Sequence, residues 1–165
     1  MKAKDITLGG IMVALGIITL YLTTIIPINT LSILTLASCF IPITILRSNI
    51  RTASFVYVAT TLMSFFIVPI NYAIMYALLF GIYGIVKYFI EKLKKMPIEI
   101  ILKLLFFNLI LGIGLTFMKV FIGELSVNLP IWLLFLVAQP AFLLYDFAIT
   151  TAITFYLEKS KKLKI

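Results

Sequence analysis

The sequence predicts an all-α integral membrane protein, a compact bundle of six transmembrane helices with both termini cytoplasmic. The first observation behind this is composition: 63% of the 165 residues are hydrophobic and 12% are charged. Soluble domains are typically about 45–50% apolar and about 25% charged. A domain of this size leaves roughly a third of its surface exposed, so one water-soluble core cannot bury the excess. A cytosolic enzyme and a nucleic-acid-binding protein are thereby excluded.

The second observation is the position of the charges. There are 41 residues without a charge between Asp5 and Arg47, and 35 between Arg51 and Lys87. A transmembrane helix needs roughly 20 apolar residues, so the first run holds two spans and the second nearly two. Turn residues and charges divide the chain, residues 1–165, into a single transmembrane domain with spans at about 6–26, 31–46, 52–68, 71–90, 98–123 and 130–157.

Prolines mark most of these boundaries. Span one ends at Pro27, and span three stops near Pro69. Span two has only 16 residues and contains Pro42, so we expect it to be short or kinked. Pro97 suits the first turn of span five, and span six begins at Pro130.

The third observation is the distribution of lysine and arginine. With the N-terminus inside, 13 of the 14 basic residues fall in inner segments, and only Lys119 falls outside. This asymmetry is the positive-inside pattern, and it explains the net charge of +8 without a nucleic-acid partner. We therefore expect a multi-pass protein of the cell membrane, with the lipid bilayer around it.

Small residues form stripes on two spans. Gly10 and Ala14 make a small-xxx-small pair in span one, and such pairs let helices approach closely in lipid. Each stripe fits either internal packing or docking of a partner protein. Span one is the better docking candidate because its small residues lie in the cytoplasmic half. The stripe of span four consists of Ala73, Ala77, Gly81 and Gly84.

A second stripe on span four is aromatic, and its members are Tyr72, Tyr76, Phe80, Tyr83 and Lys87. It fits a packed face with tyrosines at the membrane interface, or the wall of a ligand pocket in the outer half. Under the second interpretation, the depth of the polar and aromatic residues predicts the substrate-binding set Asn71, Tyr72, Tyr76, Lys119, Trp132 and Gln139.

Asp146 is the acidic residue that lies deep in a span. It follows Pro130 by about 24 Å of helix, which places it in the cytoplasmic half, where a lone carboxylate costs a few kcal/mol. We predict a buried ion pair with Lys87; Lys103 lies at similar depth and is the alternative partner, and Asn108 can add a hydrogen bond. The pair is either structural or part of a conformational latch or proton relay.

Lys119 lies in the outer part of span five. It either pairs with Glu124 or faces a cavity open to the outside, where it would attract an anionic solute. Gln139, just before Pro140, can supply another hydrogen bond there.

Residues for catalysis are scarce. The chain has no histidine and a single cysteine, Cys39, which excludes histidine-activated nucleophiles and a cysteine-rich zinc site. No phosphate-binding Gly-Lys-Ser/Thr motif occurs, and no charge ring or filter motif indicates a channel. We therefore predict no enzymatic activity, no metal site and no cofactor.

Taken together, these features resemble the substrate-binding S component of an energy-coupling factor (ECF) transporter. The length, the six spans, the inner termini and the small-xxx-small pair extend the resemblance over the whole chain in topology. Leu79–Lys87, which reads LFGIYGIVK before a basic inner loop, also resembles bacterial membrane proteins grouped with these components. The family motif is an alanine pair, and here it reads Gly10 and Ala14.

The resemblance implies a membrane-embedded binding protein that captures a small organic solute, a vitamin or its precursor, near the outer face. The partners it implies are a transmembrane T component and two ATPase subunits, with Gly10 and Ala14 in the docking role. There is no histidine-led N-terminus of the nickel or cobalt type, so an organic solute is expected.

Rod-shape-determining membrane proteins of the cell-wall elongation machinery have a similar length and number of spans. A protein of that type would be a scaffold without a ligand. A dry, fully packed outer half favours the scaffold, whereas a water-filled cavity lined by the polar residues above favours transport.

Overall fold

Helices account for nearly all of the chain that the structure describes. The computed structural model describes residues 2–122 and 131–162, apart from the side chains at 27, 117–122, 131, 134 and 160–162. A 3₁₀ turn, Pro27–Asn29, follows the first helix, and a π-helical turn, Tyr76–Phe80, interrupts the fourth span. The α-helices are α1 (Ala3–Ile25), α2 (Thr30–Arg47), α3 (Ile50–Ile67), α4 (Ile70–Met75), α5 (Gly81–Glu91), α6 (Met96–Ile122) and α7 (Ile131–Lys162).

The predicted six-helix membrane fold is confirmed. In the described part of the chain, six helical segments are long and apolar enough to cross a membrane, and α4, the π turn and α5 together form one of them, Ile70–Glu91. The observed helix ends lie within a few residues of the expected boundaries, apart from the C-terminal end of α7, which continues to Lys162. The placement of both termini on the cytoplasmic side stays a prediction.

The second span is longer and more regular than its proline suggested. α2 has 18 residues and continues past Pro42. Pro42 is buried beside α5, where an added Cβ at Gly84 would lie 2.8 Å from Pro42 Cδ and 3.1 Å from Ile41 Cβ. Gly84 therefore permits the close approach of α5 to α2 at the proline.

α2 lies at the centre of the bundle and α6 at its edge. α2 packs against α1, α3, α5 and α7, whereas α6 contacts α5, the π turn and α7. The larger apolar cluster joins α2 to the fourth span, α6 and α7, and it is rich in aromatic rings: Tyr76, Phe80, Tyr83, Phe107, Phe142 and Tyr145. A smaller cluster of Met12, Ile41, Ala53 and Val56 joins α1, α2 and α3.

Polar contacts gather several helix ends at one end of the bundle. Ser48 Oγ, just after α2, donates a hydrogen bond of 2.7 Å to Asp5 Oδ1 in the first turn of α1. Arg47, the last residue of α2, donates to the hydroxyl of Tyr156 near the end of α7. We call this the basic end; the start of α1 and the end of α7 both lie there.

The π turn receives hydrogen bonds from two neighbouring helices. Tyr57 Oη of α3 donates to the Ala77 carbonyl at 2.8 Å, and Tyr145 Oη of α7 donates to the Phe80 carbonyl at 3.3 Å. π turns within α-helices are rare and leave backbone groups that other partners must satisfy. These tyrosines stabilise the irregular turn in the middle of the fourth span.

Candidate functional site

Four charged side chains form a network between α5, α6 and α7. Lys87 and Glu91 come from α5, Lys103 from α6 and Asp146 from α7. Each lysine contacts both acids, so two positive charges face two negative charges. The structure thus contains the Lys87–Asp146 contact expected from the sequence, and it adds Lys103 as a second partner of the same carboxylate.

Both carboxylate oxygens of Asp146 are occupied. Oδ1 accepts hydrogen bonds from Lys87 Nζ and, at 2.6 Å, from Tyr83 Oη. Oδ2 accepts from Lys103 Nζ at 3.0 Å. Lys87 Nζ also donates to Thr150 Oγ1, one helical turn after Asp146, at 2.8 Å. Charge-assisted hydrogen bonds of this kind are about twice as strong as neutral ones.

Burial is graded across the network. The Lys87 side chain is 2% exposed and that of Lys103 10%, whereas that of Glu91 is 39% exposed. Glu91 Oε1 lies 2.9 Å from each lysine Nζ, so it closes the network on the side of the basic end. A buried ammonium group is costly unless it is paired with an acid. Here Asp146 and Glu91 both pair with the two lysines.

The helix geometry explains why these groups meet. Lys87 and Glu91 are four residues apart and therefore lie on one face of α5. Tyr83, one turn earlier on the same face, packs edge-on against Phe142 of α7, with ring centroids 5.3 Å apart. Phe107 of α6 stacks on the same Phe142 ring at 4.4 Å. The aromatic contacts therefore join the same three helices as the ion network.

The small residues of α1 divide between two faces. A Cβ at Gly9 would lie 3.4 Å from Thr52, and one at Gly16 would lie 3.2 Å from Thr60, so both glycines face α3. A Cβ at Gly10 would have no described atom within 4 Å outside its own helix, and Ala14 is exposed. The Gly10–Ala14 face is therefore open, whereas the small residues of α5 pack internally, Gly81 against Tyr57 and Gly84 against α2.

A shallow groove lies beside this open face, between α1 and α3. Its volume is about 360 Å³. The residues that line it are mostly apolar: Asp5, Ile6, Gly9, Gly10, Val13, Thr52, Phe55, Val56 and Ala59.

The substrate-binding residues predicted on the fourth span lie in different surroundings. Tyr76 is 1% exposed and belongs to the larger apolar cluster. Tyr72 is half-buried and packs against the same cluster, whereas Asn71 is exposed. Tyr76 and Tyr72 therefore match the packed-face interpretation of the aromatic stripe.

The remaining predicted residues come from α6 and α7. Trp132 is 67% exposed. Gln139 Nε2 donates a hydrogen bond of 2.6 Å to Asn108 Oδ1 and so joins α7 to α6. The sequence suggested that Asn108 would add a hydrogen bond to Asp146. In the structure, Asn108 bonds Gln139 instead. Lys119 lies in α6, but its side chain and the whole of Glu124 fall outside the described residues, so the two alternatives for Lys119 stay predictions.

Sequence reasoning missed one member of the ion network, Glu91, and two of its hydrogen-bond partners, Tyr83 and Thr150. Tyr83 was assigned to the aromatic stripe, and Glu91 and Thr150 were not considered as partners. The spacing of four between Lys87 and Glu91 and between Asp146 and Thr150 was the available signal, because residues four apart share a helix face.

Within the described residues there is no cluster of metal ligands, and no known protein matches the chain. Among the side chains that the structure describes, no three His, Cys, Asp or Glu residues come together as metal ligands. Comparisons with protein-family models, characterised proteins and solved structures find no significant match.

Proposed function

We propose that this chain is a membrane-embedded solute-binding subunit of an ECF-type importer. It captures a small organic solute, a vitamin or its precursor, at the outer face. A transmembrane T component and two ATPase subunits then drive uptake. The observation that carries the proposal is the open small-residue face of α1, formed by Gly10 and Ala14.

An open small-residue face suits docking of a second transmembrane helix. In lipid, helices associate through close packing rather than through a hydrophobic drive, and small side chains allow backbones to approach. Gly9 and Gly16 already serve this purpose inside the bundle, against α3. Gly10 and Ala14 have the same chemistry without an occupant among the described residues, which is what a partner-facing surface requires.

Polar groups farther from the basic end than the ion network support the solute-binding part of the proposal. The Asn108–Gln139 pair joins α6 and α7 away from the basic end, and Asn71 lies exposed at the start of the fourth span. Amides within membrane-spanning helices are costly and often mark substrate sites.

A specific observation favours the scaffold alternative, a rod-shape-determining type of membrane protein without a ligand. Tyr76 is fully packed within the protein, while Asn71 and Trp132 are exposed. These three predicted pocket residues therefore do not converge on one cavity wall. A scaffold would also use an open face on α1 for a partner, so ligand binding is the property that separates the two functions.

A ligand screen on the purified chain tests the solute-binding proposal. Native mass spectrometry after gentle purification should show a bound small molecule, and one member of a vitamin panel should raise the melting temperature, because a ligand that binds only the folded state stabilises it. No bound molecule and no thermal shift with any vitamin would favour the scaffold.

The docking face is tested by Gly10→Leu in cells that express the whole transporter. Uptake of the vitamin found in the screen should be abolished, while its binding to the purified variant stays intact. Gly112→Leu is the matched control, because a Cβ at Gly112 of α6 also meets no described atom within 4 Å. Unchanged uptake by the Gly10→Leu transporter would contradict the docking role.

A further inference from the structure

The groove between α1 and α3 is apolar along its length and polar at one end. On α1 it extends from Asp5 to Val13, about 12 Å at 1.5 Å per residue. Asp5 and Thr52 lie at the basic end, and the rest of the lining consists of glycine, alanine, valine, isoleucine and phenylalanine. The long axis of the groove therefore runs along the membrane-spanning helices, which is also the direction of the acyl chains of a bilayer.

Two exposed cations lie close in sequence to the residues at the polar end of the groove. Arg51 lies one helical turn before Phe55 of the lining, and Lys2 lies four residues before Ile6. Within the described part of the chain, neither side chain forms an ion pair, since the ion pairs found there belong to the Lys87–Asp146 network.

The acid beside these cations is already occupied. Asp5 Oδ1 accepts from Ser48 Oγ at 2.7 Å, and Oδ2 accepts from the Lys2 backbone N–H at 2.9 Å. The two cations, Lys2 and Arg51, outnumber the one acid, Asp5, so the charge at the mouth of the groove is positive overall. It is thus suited to a phosphate group.

We propose that the groove binds one acyl chain of an anionic phospholipid, with the lipid phosphate between Lys2 and Arg51. Anionic lipids are concentrated on the cytoplasmic side, where the charge pattern places the basic end. The site goes beyond the proposed transport function and does not depend on it.

The size of the groove favours a lipid chain over a protein helix. An α-helix with its side chains is about 10 Å across and would lie over a groove of about 360 Å³ rather than in it. A partner helix on the Gly10–Ala14 face would share only the Gly10 edge of the groove, because Ala14 is not among the lining residues.

The charge contacts are tested by native mass spectrometry of the full chain with an equal mixture of phosphatidylglycerol and phosphatidylcholine. The wild type should retain phosphatidylglycerol preferentially. Each surface cation near a membrane is worth about fivefold in affinity for anionic lipid, so the double variant Lys2→Gln, Arg51→Gln should lose about 25-fold. Lys4→Gln is the matched control, because Lys4 lies about 200° around α1 from Ile6 and should leave retention unchanged.

The acyl-chain contact is tested separately by filling the groove. Ala59→Trp places a large ring on the lining and should abolish preferential retention, whereas Val58→Trp on the adjacent exposed face (Val58 is 49% exposed) should not. Glycerol phosphate, which has the headgroup but no chain, should fail to displace the lipid.

Three outcomes would overturn the proposal: equal retention of the two lipids by the wild type, wild-type retention by the Lys2/Arg51 variant, or equal effects of the two tryptophan variants. A co-purifying polypeptide that only Ala59→Trp removes would assign the groove to a protein partner instead.

Discussion

At the residue scale, Asp146 of α7 is the carboxylate that contacts both buried lysines, one from α5 and one from α6. It accepts three hydrogen bonds, from Lys87, Tyr83 and Lys103. Without its charge, the two lysines would share Glu91 alone, and Glu91 is 39% exposed. Removing one partner of a buried ion pair costs more than the pair contributes, because the other charge stays buried.

We expect Asp146→Asn to lower the free energy of unfolding by about 3 kcal/mol. The amide keeps the shape but leaves two nearly buried lysines facing one acid. Thermal unfolding in mild detergent measures the change. Glu158→Gln is the control, since this exposed acid of the same helix lies outside the ion network; it should cost less than about 0.5 kcal/mol. Equal melting temperatures for the two variants would contradict a stabilising role for Asp146.

Gly84 lies where the packing of α5 against α2 leaves no room for a side chain. We expect Gly84→Ala to destabilise the fold by about 2 kcal/mol, because the new methyl would lie 2.8 Å from Pro42 Cδ, in buried surroundings. Gly112→Ala is the control and should leave the melting temperature unchanged or slightly raised, as alanine favours helix over glycine. A tolerated Gly84→Ala would mean that α2 and α5 can separate at little cost.

At the scale of elements, α6 is joined to the bundle partly by polar contacts. It lies at the edge of the bundle. Lys103 joins it to Glu91 and Asp146, and Asn108 joins it to Gln139. These contacts and the Phe107–Phe142 stack attach α6 to its neighbours.

We expect Lys103→Met to loosen α6 while leaving α1, α2 and α3 unaffected. Methionine keeps the length of the side chain but cannot bridge the two acids. Hydrogen exchange should become faster in the first half of α6, because local stability follows local contacts. Lys95→Met, an exposed lysine in the turn before α6, should leave exchange unchanged. If α6 exchanged at the same rate in both variants, the Lys103 bridges would not be what holds it.

The π turn is the element that sequence reasoning did not predict. Apolar spacing on the fourth span is continuous, so the pattern indicates one regular helix from 71 to 90. The hydroxyls of Tyr57 and Tyr145, which come from two other helices, donate hydrogen bonds to backbone carbonyls of the turn. Such contacts depend on neighbours that a local pattern does not contain.

At the scale of the whole molecule, the contacts at the basic end bring the start of α1 and the end of α7 together. The positive-inside rule then assigns that end to the cytoplasm. The orientation stays a prediction, which labelling of residues at the two ends can test.

Cysteine labelling in intact cells measures the orientation. In a background with Cys39 replaced by alanine, Ile28→Cys should react with a membrane-impermeant maleimide, because Ile28 is 90% exposed in the turn after α1. Lys94→Cys, in the turn between α5 and α6, should react only after the cells are permeabilised. The reverse pattern would place the basic end outside.

Composition and charge spacing were sufficient to predict the class, the number of spans and most of their ends. In lipid a helix must satisfy its own backbone hydrogen bonds and must be apolar over about 20 residues. Both requirements are local, so Pro27, Pro69 and the charged turns reveal the boundaries directly. The depth of Asp146 along its helix was predictable for the same reason, because a rise of 1.5 Å per residue converts sequence position into depth.

Tertiary structure alone decided which side chains meet. It joined both lysines to Asp146 and to Glu91, paired Asn108 with Gln139, buried Tyr76 and left the Gly10–Ala14 face open. These outcomes depend on how each helix is rotated and which helix lies beside it. Rotation follows from packing among several helices at once, through contacts such as Gly84 against Pro42, and the hydrophobicity of a span that is apolar on all sides does not specify it.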